Sequence, residues 1–188
     1  VTLEDDTGAV NLIAGSSDVG VYLDNPAGGS VLGNNVIGFQ PDGTSLGSNT
    51  IGVYVFNSPN NTLLYNYIGH STSNGVSISG ASSSNTTVQY NRVGVDRLDN
   101  MAGNQGAGIG LIFAAHDSTI GAPLLSSFGG NLISYNVGPG VWISPSGGSG
   151  NRVLANQYFE NGNVDIDLGS AGPTANQASN PASGPNHL

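Results

Sequence analysis

Hydrophobic and polar residues alternate in short bursts along this chain, and the bursts repeat. Five read Gly-hydrophobic-x-hydrophobic: Gly20-Val21-Tyr22-Leu23, Gly52-Val53-Tyr54-Val55, Gly75-Val76-Ser77-Ile78, Gly108-Ile109-Gly110-Leu111 and Gly140-Val141-Trp142-Ile143. A sixth copy, Asn163-Val164-Asp165-Ile166, has Asn in place of Gly, and successive starts lie 32, 23, 33, 32 and 23 residues apart. Period-two alternation predicts strands that turn Val, Ile and Leu to one side. Units this short cannot bury an apolar face alone, so their recurrence predicts a stack in which each unit covers the next.

A second motif falls between the copies of the first and sets their register. Ser30-x-Leu32-x-x-Asn35-x-Ile37-Gly38 is repeated as Asn61-x-Leu63-x-x-Asn66-x-Ile68-Gly69 and as Thr86-x-Val88-x-x-Asn91-x-Val93-Gly94. Shorter versions are Asn131-x-Ile133-x-x-Asn136 and Asn151-x-Val153-x-x-Asn156, with a truncated first copy at Asn11-x-Ile13. The two motifs together predict an all-β solenoid of about six rungs over 1–168, each with two or three short strands. At about 4.8 Å per rung its body would be roughly 30 Å tall. A polar tail rich in Pro, Gly and Asn follows at 169–188. Asn35, Asn66, Asn91, Asn136 and Asn156 are expected at turns, where Asn tolerates left-handed backbone, and stacked amides would form a ladder between rungs.

Composition narrows the functions. Lys is absent, Arg occurs only at Arg92, Arg97 and Arg152, and the net charge is −9. Such a surface repels phosphate backbones and anionic lipid, so neither nucleic acid nor a membrane is an expected partner. No apolar run approaches the 18 residues of a spanning helix. The chain opens at Val1 with neither Met nor a signal peptide, as a mature product or excised piece would. Without Cys there are no disulfides, and the redox compartment is undecided. An acidic, Lys-free surface rich in Gly, Ser and Asn fits an extracellular or cell-surface protein.

Asn-x-Ile-Gly, a long polar coil, Gly-Val-x-Ile and then Asn131-Leu132-Ile133-Ser134-Tyr135-Asn136 together resemble the right-handed parallel β-helix repeat regions of bacterial secreted and surface proteins. The coils Gly38 to Gly52 and Gly94 to Gly108 match the Gly/Asp/Thr-rich loops of those repeats, with Asp96 keeping the family Asp and Gln40 replacing it. The resemblance covers nearly the whole chain. It implies a right-handed single-stranded parallel β-helix of the pectate-lyase-like superfold, which hosts lyases, hydrolases, adhesins and fibres.

Catalytic chemistry has few candidates. A lyase of that superfold would need a basic residue and cations to neutralise a uronate, and this chain has little of either. Asp5-Asp6 precedes the first repeat and has no partner carboxylate in view. Asp165 and Asp167 share the outward side of one strand, about 6.6 Å apart by strand rise, near the separation used by inverting glycosidases. They equally suit an edge that must resist aggregation. In Asp96-Arg97-Leu98-Asp99 the charges fit a solvated loop with a local ion pair, or Ca²⁺. Ca²⁺ is the only cofactor raised, with Asp96, Asp99, Asp165 and Asp167 as its candidate ligands. His70, His116 and His187 lack metal-ligand spacing, although His116-Asp117 forms a potential acid–base pair. No lyase or hydrolase activity is expected.

Binding has more support. The x positions of the first motif place Tyr22, Tyr54, Ser77, Gly110, Trp142 and Asp165 in one outer row. Positions before the ladder Asn place Asn34, Tyr65, Tyr90, Tyr135 and Ala155 in another. Tyr22, Tyr54, Trp142, Tyr65, Tyr90 and Tyr135 are therefore candidates for stacking on sugar rings of a polysaccharide, or simply on one another. The Thr-x-Thr rows of an ice-binding face are missing. Neither end shows an amphipathic helix to cap it, so the expected partner is the chain itself, head to tail in a fibre, or adjacent domains of a larger surface protein. The tail 169–188 is expected to lie on a neighbouring copy.

Overall fold

The computed structural model describes residues 10–44, 46–122, 130–170 and 172, and these form a parallel β-helix of six rungs. The first sheet stacks β1 (Asn11–Ile13), β4 (Asn35–Ile37), β7 (Tyr67–Ile68), β10 (Arg92–Val93), β13 (Leu132–Ser134) and β16 (Gln157–Phe159). The second stacks β2 (Val19–Leu23), β5 (Ile51–Phe56), β8 (Val76–Ser79), β11 (Ile109–Ile112), β14 (Val141–Ile143) and β17 (Ile166–Leu168). The third stacks β3 (Val31–Gly33), β6 (Thr62–Leu64), β9 (Thr87–Gln89), β12 (Thr119–Gly121) and β15 (Arg152–Leu154). The chain visits the sheets in strict rotation, and every strand pair is parallel. No strand lies beside its neighbour in sequence, so the fold is held almost wholly by long-range contacts.

Alternation decides what faces inward. Val21, Val53, Val76, Ile109, Val141 and Ile166 form one column, and Leu23, Val55, Ile78, Leu111, Ile143 and Leu168 a second beside it. Ile13, Ile37, Ile68, Val93, Ile133 and Tyr158 line the first sheet, and Leu32, Leu63, Val88, Ile120 and Val153 the third. β-Branched residues predominate because they pack well on a pleated surface, and their burial between three sheets supplies the main drive to fold.

The corners are built from two-residue units. At most corners the first residue takes left-handed backbone: Asn34, Tyr65, Tyr90 and Ala155 at one, His70, Tyr135 and Glu160 at the next, and Asn60, Asn85 and Asp117 at the third. The second residue faces in and joins a polar ladder. Expectation placed the ladder Asn itself in the left-handed turn; the preceding residue takes that conformation, which frees the Asn to bond inward. At the corner before the first sheet, Asn11, Asn35, Asn66, Asn91, Asn131 and Asn156 run from end to end of the stack, each amide bonded to the next. Ser71, Asn104, Asn136 and Asn161 form a second ladder before the second sheet. Thr86, Ser118 and Asn151 lie in a third.

Two registers differ from the sequence reading. Asn136 is not in the ladder of Asn35, Asn66, Asn91 and Asn156; Asn131 holds that place. The segment 122–130 is inserted between β12 and β13, so Asn131-x-Ile133 repeats Asn91-x-Val93 rather than Thr86-x-Val88. In the last rung Ile166, not Val164, continues the Val21 column, and Asp167, not Asp165, pairs with Trp142. A slip of two residues keeps inward positions inward, so alternation alone could not choose between the registers. The ladder chooses: five residues separate Asn161 from Ile166, as they do Asn136 from Val141 and Asn104 from Ile109.

The long coils fold back over the first sheet through bridges between Phe39 and Leu46 and between Val95 and Met101. They cover its outer face with a small second core of Val36, Phe39 and Ala102, flanked by Val10 and Tyr67.

At the far end, Tyr158 closes the core column of the first sheet and its hydroxyl accepts a hydrogen bond from Asn156 Nδ2 at 3.3 Å. Burial pushes the Tyr158 hydroxyl up to about 12, with the Asn156 bond opposing and the Asp165 charge assisting. A folded pKa above the unfolded value stabilises the protein fully below pH 10, and that stabilisation is lost as pH rises through 12. The loss is on the order of 3 kcal/mol. The chain has no Lys, and its six other tyrosines are common to wild type and variant, so comparing the two isolates Tyr158. Denaturant melts of Tyr158→Phe are expected to fall much less steeply between pH 10 and 12; curves parallel to wild type would contradict this assignment.

Candidate functional site

The outer face of the second sheet carries the aromatic row. Strand pairing aligns Tyr22, Tyr54, Ser77, Gly110, Trp142 and Asp167. Tyr22 and Tyr54 stack at 5.4 Å between ring centroids, tilted by 28°. Phe56, two residues beyond Tyr54 and so on the same face, lies 6.3 Å from Tyr22 and 5.7 Å from Tyr54. Tyr22 stands in the edge strand β2 and is 51% exposed.

Alternation along β2 places Asp18 and Asp24 on the same side as Tyr22. Both are exposed, and neither carboxylate has a hydrogen-bond or ion-pair partner among the described residues. Loss of water against its neighbours, then the charges of Asp24, of the ionisable Tyr54 hydroxyl and of Asp18 raise the Tyr22 hydroxyl above its ordinary value. Sequence reasoning missed Asp18, Asp24 and Phe56, although counting in twos from Tyr22 and Tyr54 finds them all.

Beyond Tyr54 the row changes character. Ser77 and Ser79 are buried, their hydroxyls bonded to Asn74 Nδ2 at 3.0 Å and to Tyr54 at 3.3 Å. Trp142 donates its Nε1 proton to the Gly169 carbonyl at 3.0 Å, so one edge of the indole is tied down. Asp167, 2% exposed, accepts the Gly172 N–H at Oδ2, while its Oδ1 has no partner among the described residues. Asp165, by contrast, is exposed and bonded to Asn161 Nδ2 at 3.2 Å. The two carboxylates thus lie in different environments and share no open site.

No family model, curated protein or solved structure matches this chain. The site must therefore be judged on its own geometry.

The second aromatic row is split. Tyr65 and Tyr90 stack at 4.9 Å and 20°. Tyr135 precedes Asn136, so it belongs to the next corner and meets Phe159 edge-on at 5.5 Å. Asp96 is consumed by its own loop, accepting the N–H groups of Leu98 at 2.7 Å and Asn100 at 2.9 Å and the Asn100 amide at 2.9 Å. Asp99 is ion-paired with Arg92, whose guanidinium lies 5.8 Å from the Tyr67 ring centre. His116 bonds Asp117 at 2.7 Å through Nδ1 and faces the Ala81 carbonyl through Nε2, while His70 packs edge-on against Phe39. Among the described residues no three His, Asp or Glu side chains are grouped to hold a metal. Asp5, Asp6, His187 and nearly all of the tail lie outside the described residues. On the third sheet Thr62, Thr87 and Thr119 align in one column, but their i+2 neighbours are Leu64, Gln89 and Gly121, so no Thr-x-Thr array forms.

Proposed function

We propose that this chain is a structural β-helix module of an extracellular or cell-surface protein, a building block that continues its stack end to end with copies of itself or with adjacent domains of a longer chain. The observation that carries this reading is the state of the two ends. Among the described residues β1, β2 and β3 pair on one side only, as do β15, β16 and β17. Apolar side chains stand exposed on the same strands: Leu12, Tyr22 and Val31 on the first rung, Phe159 and Ile166 on the last. Unpaired edges accept further strands through the bonds that already join neighbouring rungs.

The ladders add direction. Each later amide oxygen in the Asn11 to Asn156 ladder receives a donor from the rung before it, whereas Asn11 Oδ1 receives none from the described residues. A last rung set against a first rung would supply that donor. Such a contact is heterologous and propagates instead of closing. The resemblance to repeat regions of bacterial secreted and surface proteins supports the same reading. Converting Phe159 and Ile166 together to Arg is expected to abolish concentration-dependent light scattering while leaving the circular dichroism unchanged. Equal scattering by variant and wild type would sink the idea.

A second reading, contact with polysaccharide, is favoured by the Tyr22–Tyr54–Phe56 stack, since aromatic faces suit the C–H faces of sugar rings. Lyase or hydrolase chemistry is not proposed: Asp96 is bound within its loop, and Asp165 and Asp167 do not face one cleft.

A further inference from the structure

We propose that the open face of Tyr22, between Asp18 and Asp24 on a first rung that no neighbouring copy covers, is a docking site for a cationic amino sugar, a chain of glucosamine units with free amines; this rests on the polysaccharide reading above. Three observations converge on that chemistry. Tyr22 ends a ring stack: Tyr54 and Phe56 lie on its inner side, and no described aromatic ring stands beyond it. The two carboxylates beside it are exposed and, among the described residues, without a hydrogen-bond or ion-pair partner. Among the described residues no cation competes for them on this face. The chain has no Lys, Arg92 and Arg97 belong to the first sheet and the coil above it, and Arg152 sits on the third sheet beside Thr119.

Charge complementarity selects the ligand class. A uronate polymer would bring carboxylates against Asp18 and Asp24 on a chain already at −9. A neutral sugar would cover Tyr22 and offer the acids hydroxyl donors but no compensating charge. Glucosamine offers a flat C–H face for the ring and an ammonium group for the acids, which adds a cation–π component. The shape of the platform favours a sugar over a lysine-rich peptide. The three rings are inclined to one another by only 20° to 36°, so they make a flat stack. A tetrahedral ammonium on a flexible stem is better enclosed by rings set at right angles.

Titration calorimetry at pH 6 and low salt with glucosamine hexamer, its N-acetylated counterpart, galacturonate hexamer and hexalysine tests this. The glucosamine hexamer is expected to bind, the acetylated hexamer at least tenfold more weakly, and the galacturonate not at all. Tyr22→Ala should weaken glucosamine binding at least tenfold, and so should the nearly isosteric pair Asp18→Asn and Asp24→Asn, which leaves the ring stack in place. Glu160→Gln, the loss of one exposed charge on the last rung, should change nothing. Acetylated hexamer binding as tightly, with Tyr22 dependence but no effect of the Asn pair, would overturn the cationic preference and leave the polysaccharide reading standing. If no hexamer binds, both fail. Hexalysine binding equally well, with the same Tyr22 dependence, would overturn the choice of a sugar.

Discussion

Gly94→Ala is expected to prevent folding, or to destabilise the protein by at least about 5 kcal/mol, as much as the whole stability of a marginal domain. Gly94 closes β10 with φ +94°, a left-handed conformation, and its N–H bonds the Ile68 carbonyl of the rung before. A methyl group there would overlap the carbonyl oxygen of Ser134 in the rung after. The obstacle is backbone held by the pairing of Val93 with Ile133, so it can retreat only by opening the first sheet. Gly38 meets Gly69 in the same way two rungs earlier. Gly29 separates the two causes. It too is left-handed, at φ +76°, but a methyl there meets nothing within 4 Å. Gly29→Ala should therefore show backbone strain alone, about 1–2 kcal/mol. Urea unfolding and soluble yield compare the two, and a Gly94→Ala protein as stable as Gly29→Ala would refute the contact.

Asn91→Ala is expected to destabilise by about 3–5 kcal/mol. This side chain is buried at the middle of the long ladder. Its Oδ1 accepts the Asn66 N–H at 3.0 Å and the Asn66 amide at 2.9 Å, and its Nδ2 donates to the carbonyls of Leu63 and Gln89, both at 2.9 Å, and to Asn131. Truncation leaves several buried backbone groups without partners, each worth about 1–3 kcal/mol. In a chain of this size that would lower the melting temperature by about 6–20 °C. Asn156→Ala, at the partly buried last rung where water can replace the amide, should show less than half the effect. Equal losses at the two positions would mean that the ladder is not cooperative along its length.

These two variants probe features of very different legibility. The inward columns could be read from the sequence because a buried strand needs alternation, and Val53, Val76 and Val141 announce it. The ladder was legible as a motif but not as a column. Asn-x-hydrophobic serves more than one corner, and the insertion before Asn131 exchanges one corner for another without altering the local pattern. Lengthening a connection between strands costs little loop-closure entropy, so nothing in the sequence forbids it. The last strand was misread by two residues because period two is blind to such a slip. At the candidate site, Tyr22 and Tyr54 followed directly from spacing. The burial of Ser77 and Asp167 did not follow, because it depends on what lies across the sheet's outer face. The tie between Trp142 and Gly169 is likewise a choice of side-chain conformation.

End-to-end assembly is the central functional claim, and electron microscopy of the concentrated wild-type protein tests it most directly. The account predicts unbranched filaments one β-helix wide, with a subunit repeat of six rungs, about 29 Å at 4.8 Å per rung, and loss of those filaments in the Phe159→Arg, Ile166→Arg variant. Single particles about one subunit long at every concentration, with no stacking onto another copy or an adjacent domain, would contradict it.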